Sequence, residues 1–215
     1  MLVTNEQLLK AFIETITMVS WSLFLGSIIA FVLAIILVLT RPDGISENKV
    51  VYSSFNAVIN MFRSLPFIIL LVAILPFTKF VAGTYIGVKA AIVPLTVYIA
   101  PYMSRLIENS ILEVDKGIVE TAQAMGATTF EIIKYFLLPE AMPSLVLSLT
   151  TATIGLVGAS AMAGVVGAGG IGDLAISYGY ERFDTMVMVI TVIILIIVVQ
   201  AIQNIGNFIS RKLRH

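Results

Sequence analysis

Glu120-Thr121-Ala122, then three residues to Gly126, then nine residues to Phe136-x-Leu138-Pro139, is the run whose residue types and spacing carry the clearest chemistry. Glu120 offers a carboxylate to N–H donors or to a helix end. Small Ala122 and a turn at Gly126 let another surface approach closely. This is the chemistry of docking rather than of bond breaking. A second run, Gly167-Ala168-Gly169-Gly170-Ile171-Gly172, satisfies G-x-G-x-x-G. Its dinucleotide meaning requires a preceding strand and a following helix, whereas a long apolar segment precedes it here. No G-x-x-x-x-G-K-[ST] occurs, so the chain has no P-loop with which to hydrolyse ATP. It has no cysteine, and its one histidine is His215. Disulfides, thiolate chemistry, imidazole catalysis and His/Cys metal centres are thereby excluded, and no catalytic residue is assigned.

The elements that must carry these runs follow from composition. Of 215 residues 59% are hydrophobic and 12% charged, against about 25% charged in an ordinary soluble domain. So little charge cannot cover a water-exposed globule, and so much apolar surface does not stay hydrated as a disordered chain. The class is all-α integral membrane protein, a single domain over 1–215. The 13 basic and 13 acidic residues cancel, which gives no bulk attraction to nucleic acid. Runs such as Ile190–Val199 are continuously apolar rather than alternating, so helices and not a barrel cross the bilayer. Five spans are expected, at about 15–40, 57–78, 84–104, 141–170 and 185–210. The first exceeds a signal-peptide core and follows acidic Glu6 and Glu14, so it is read as a retained helix.

Five spans put the termini on opposite sides. Arg41, Lys49, Arg63, Arg105, Lys116, Lys134, Arg211, Lys212 and Arg214 fall on one side, and Lys10, Lys79, Lys89 and Arg182 on the other. The basic side is cytoplasmic, which places the N-terminus outside and the C-terminus inside the plasma membrane. The cytoplasmic loop 105–140 also holds Glu108, Glu113, Asp115, Glu120, Glu131 and Glu140. Within it two short helices are expected over 116–138. One has an apolar stripe of Ile118, Val119, Ala122 and Met125 and ends at Gly126. The other starts at a Thr128/Glu131 capping box, buries Ile132, Ile133, Phe136 and Leu137, and is stopped by Pro139. An amphipathic helix lying on the bilayer is the alternative, but Lys116 and Lys134 are few cations for that role.

The Glu120–Pro139 spacing resembles the EAA loop of permease subunits of type I ABC importers, with Thr121 in place of an Ala and Phe136 in place of an Ile. Asn60–Leu70, Ala90–Thr96, Val165–Gly172 and Ser177–Tyr180 are similar to the methionine branch of that family. The resemblance implies five helices per subunit, a permease homodimer, two cytoplasmic ATP-binding subunits carrying ATP and Mg, and an extracytoplasmic methionine-binding protein. It implies import of methionine in either stereoisomer, no cofactor on this chain, and no enzymatic activity of its own. Glu120, Thr121, Ala122, Met125, Gly126, Leu138 and Pro139 would be the ATPase-coupling residues.

Other features have two readings each. Gly155, Ala159, Ala163 and Gly167, and in parallel Ser160, Gly164, Ala168 and Gly172, are small residues at intervals of four. They suit close helix packing or a pathway and dimer interface. Met162, Ser160, Tyr98 and Pro101, with Tyr102, are pore or gate candidates, and Met162 is either a plug or a gap filler. Arg63 snorkels or meets substrate. Asp173, Tyr178, Tyr180, Glu181 and Asp184 meet a delivery protein or only solvent. A permease for another small nutrient is an alternative, as is an ion-coupled transporter working without an ATPase. The latter lacks the mid-membrane charge such machines use.

Overall fold

A computed structural model describes residues 2–214, so the expectation for His215 lies outside the described residues. The first helix, α1 (Asn5–Thr40), is capped by Thr4, whose hydroxyl accepts from the Gln7 N–H while Gln7 caps back. Its buried stripe runs Ala11, Thr15, Met18, Ser22, Gly26, Ala30, Ala34, Leu37. Small residues in the middle of that stripe bring α1 against α5 (Val88–Leu112), and a Cβ on Gly26 would overlap the Ile99 side chain. Trp21, Phe24, Ile28, Phe31 and Val32 point away from the bundle and are exposed, the surface expected against lipid tails.

The expected second span, 57–78, is not one straight helix. Helix α2 (Lys49–Ser64) and α3 (Phe67–Ala73) meet at a 104° bend, and α4 (Leu75–Ala82) follows. The cause is Pro66, which brings no N–H and holds Leu65 extended at φ −83°, ψ 127°. Among the described residues four helices are long and apolar enough to cross a membrane, or five if this bent pair is counted as one.

The expected boundary at 105 also shifts, because α5 runs unbroken to Leu112. Helix α6 (Lys116–Ala124) starts at an Asp115 cap, and α7 (Thr129–Glu131) passes through a π-helical segment, Ile132–Leu137, into α8 (Leu138–Ala163). Pro139 therefore does not stop a helix. Its missing N–H falls where the ladder has already widened to i→i+5 bonds, so the rod continues from Thr129 to Val166. The chain then doubles back through α9 (Gly170–Leu174) and a second π-helical segment, Ala175–Tyr180, before α10 (Thr185–Leu213). Helices α1, α5, α8 and α10 pack in that order. The core holds Met18, Leu37, Leu95, Ile99, Ile132 and Leu156.

Candidate functional site

The Glu120–Pro139 run folds as two helical pieces around one sharp turn. Ala122 is 0% exposed and packs into the main core with Ile132 and Leu137, while Val119 and Ala127 border that contact. Glu120, Thr121 and Met125 face outward, and Met125 is 74% exposed, so it is not part of the buried stripe expected for it. Gly126 closes α6 at φ 80°. Its N–H donates to the Gln123 carbonyl at 2.9 Å, and the Ala127 N–H reaches the Ala122 carbonyl at 3.0 Å. That bond pair is the glycine C-cap in which a left-handed residue ends a helix.

Two residues on, the Glu131 carboxylate accepts from the Thr128 N–H at 2.8 Å and from its hydroxyl at 2.7 Å. The Thr128 hydroxyl bond, then the backbone bond, holds the Glu131 carboxyl below the usual range. Leu138 is half-buried and Pro139 exposed. A polar helix thus ends abruptly and is tied, without a flexible joint, to the long rod of α8.

The other candidates are spread along the bundle. Met162 is 53% exposed on a face of α8 shared with Thr151, Gly155, Gly158 and Val165. A Cβ at Gly155 or Gly158 would meet nothing within 4 Å. Ser160 does not lie on that open face. It is buried, and its hydroxyl donates to the Val157 carbonyl at 2.7 Å. Pro101 is buried between α1, α2 and α5, and half-buried Tyr98 stacks edge-on to Phe67 with centroids 5.1 Å apart. These last three pack within the subunit. Arg63 is exposed at the end of α2.

The glycine-rich run is a tight reversal. Gly167, Gly169 and Gly170 have φ of 77°, 82° and 86°, and Gly172 lies against the Ala161 backbone. The N–H of Gly170 is capped by the Glu14 carboxylate at 2.9 Å, and that of Ile171 by the Thr15 hydroxyl at 2.8 Å.

Comparison with known proteins assigns the family. Residues 22–215 match the family described as binding-protein-dependent transport system inner membrane component. The chain belongs to this family. Among the permeases it resembles, a probable D-methionine transport system permease protein of Vibrio cholerae is 46% identical over 211 residues, covering 98% of this chain and 94% of that one. The D-methionine transport system permease protein of Escherichia coli K12 is 48% identical over 151 residues, 70% of each chain. A chain of the MetNI methionine ABC transporter, solved in inward-facing conformations, superposes with a TM-score of 0.96 at 44% identity, covering 98% of both.

Sequence reasoning missed three features of this permease. Phe130 and Tyr135 are exposed beside the turn, with the Lys134 ammonium 5.7 and 5.0 Å from their ring centres. Two aromatics on the polar side of a capped helix were the available signal. The Glu14–Gly170 cap joins residues 156 apart and leaves no local trace. The third is Arg105, which is not a loop cation but half of a shielded ion pair inside α5.

Proposed function

We propose that this permease is the membrane-spanning half of an ATP-driven methionine importer, acting as a homodimer with two ATP-binding subunits and an extracytoplasmic binding protein. The observation that carries the reading is the 116–138 element. It combines an outward-facing Glu120 and Met125, a rigid glycine cap at Gly126 and a continuous helical joint into α8. High identity over nearly the whole length to D-methionine permeases supports the substrate.

In this reading α6 seats on the ATPase, the C-terminus is cytoplasmic and the N-terminus outside, as the Lys/Arg distribution favours. ATP and Mg stay on the partner. Closure of the ATPase pair displaces α6. Because α6 is pinned through Ala122 to Ile132 and Leu137, the displacement passes into α8 and shifts the population between outward- and inward-open arrangements. Met162, on the open face of α8, closes the path between the two copies.

The test is reconstitution of the chain with the ATPase and binding protein from its own operon. ATP-dependent uptake of methionine, absent when the ATPase is omitted, is expected. Uptake by the permease alone without ATP overturns the reading. Failure of methionine but transport of another small nutrient overturns the substrate only.

A further inference from the structure

Helix α2 is held loosely. Ile59 is its one buried residue among those described, while Val50, Val58 and Met61 are exposed. An open groove of about 340 Å³ runs along it, between Phe55, Val58 and Phe62 on one side and Ile29 and Leu33 of α1 with Val97 and Pro101 of α5 on the other. Against this slack the helix has one strong polar tie. The Arg105 guanidinium of α5, 14% exposed, donates through Nη1 to Glu108 Oε2 at 2.6 Å, and Glu108 is 4% exposed. Its Nη2 donates to Asn56 Oδ1 of α2 and lies 3.4 Å from Asn60 Oδ1. The two asparagines are bonded to each other at 3.2 Å, and Arg105 Nε is buried without a partner.

A shielded ion pair is a poor way to hold helices together. Apolar residues of similar volume do as well or better. What the pair adds is direction and exchangeable partners. Asn56 and Asn60 are one helical turn apart on one face of α2. The planar guanidinium fork already touches both, and the spare Nε–H supplies another donor. Arg105 itself lies two turns before the end of α5, which leads through three residues into α6.

We propose that Arg105 is a positioning residue of the transport cycle. In this view the Glu108-anchored guanidinium is a sliding pin that hands over between Asn56 and Asn60, making α2 follow α5 about the Leu65–Pro66 bend. One-turn shifts of packed helices between discrete partners are a known form of two-state coupling. The proposal rests on the importer reading above.

The test uses the complete complex in proteoliposomes and a single cysteine at Met61, which the cysteine-free chain permits. Maleimide labelling of Met61→Cys is timed without nucleotide and with a non-hydrolysable ATP analogue, and transport per ATP is measured on the same preparations. The unaltered pin should give a labelling rate that changes about tenfold with nucleotide. Asn60→Ala and Arg105→Lys, which keeps the charge but loses the fork, should each flatten that response and lower transport per ATP by a similar factor. Asn60→Asp, retaining an acceptor, should restore both. A response in Asn60→Ala and Arg105→Lys equal to that of the unaltered pin overturns the proposal. So does a complex that imports with ATP while its Met61→Cys rate never changes, and that result leaves the importer reading standing. Absence of ATP-dependent import by the unsubstituted complex removes both.

Discussion

Replacing Gly126 separates backbone geometry from surface contact, because its neighbourhood is empty. With φ 80° and no atom within 4 Å of an added Cβ, Gly126→Ala meets no clash. Its cost is the left-handed conformation, about 1–2 kcal/mol for an ordinary L-residue, or roughly a 5- to 30-fold shift against the capped turn. Asparagine tolerates that region, so Gly126→Asn should recover most of this. Gly126→Asp has the same backbone tolerance but places a charge on the face expected to dock. Desolvated there without a partner it should cost several kcal/mol, on the order of a hundredfold in affinity at about 1.4 kcal/mol per decade. The assay is binding of the ATPase to the permease in nanodiscs, with transport and ATP hydrolysis followed in parallel. The expected order is glycine, asparagine, alanine, then aspartate far behind, with membrane insertion equal throughout. Aspartate binding as well as asparagine would refute docking at this turn. Equal losses for all three would show that bulk, and not conformation, matters.

Further outcomes follow from individual contacts. Met162→Ala should raise basal solute leak in liposomes, and unchanged leak and hydrolysis would reduce Met162 to an exposed packing residue. Glu14→Ala removes the acceptor for the Gly170 N–H and should cost about 1 kcal/mol, a fall in Tm of roughly 2–4 °C in detergent. Glu14→Gln, which keeps an acceptor, should lose less, and equal losses would discount the cap. Gly206→Val drives a side chain into Thr150 where α10 crosses α8 and should destabilise by about 1–3 kcal/mol, read as Tm. Because the folded Glu131 carboxyl is held low, its cap contributes above the ordinary carboxylate range and is lost as pH falls through the lowered value. Amide protection at Thr128, whose N–H the carboxylate accepts, should therefore drop only in acid, and Glu131→Gln should abolish that pH dependence.

Local rules read well from the sequence. The Thr128/Glu131 box and the Gly126 turn lie where capping chemistry puts them, since each depends on residues within four or five positions. The apolar segments were equally plain. What did not read was any feature decided by a distant partner or by competition between rules. Pro66 was visible but sat inside an apolar run, and hydropathy outweighed its effect on Leu65. Pro139 reads as a stop only for a purely α helix, and the π-helical turn before it removes the conflict. Ser160 belongs with Gly164, Ala168 and Gly172 to a buried run, two positions along the helix from exposed Gly158 and Met162, which turns it inward. Arg105 reads as a loop cation because the two asparagines that meet it lie in α2, some 45 to 49 residues away.

The unbroken helix from Thr129 to Val166 has a mechanical corollary. At about 1.5 Å per residue its 38 residues make a shaft of roughly 57 Å, with its π-helical turn and its interior proline, Pro143, both near the Thr129 end. A tilt of about 5° imposed at the Thr129 end would sweep the Met162 end through some 4 Å, more than the width of a water molecule. Moved as one body, such a crank multiplies small strokes at its Thr129 end into displacements of several ångströms at its Met162 end.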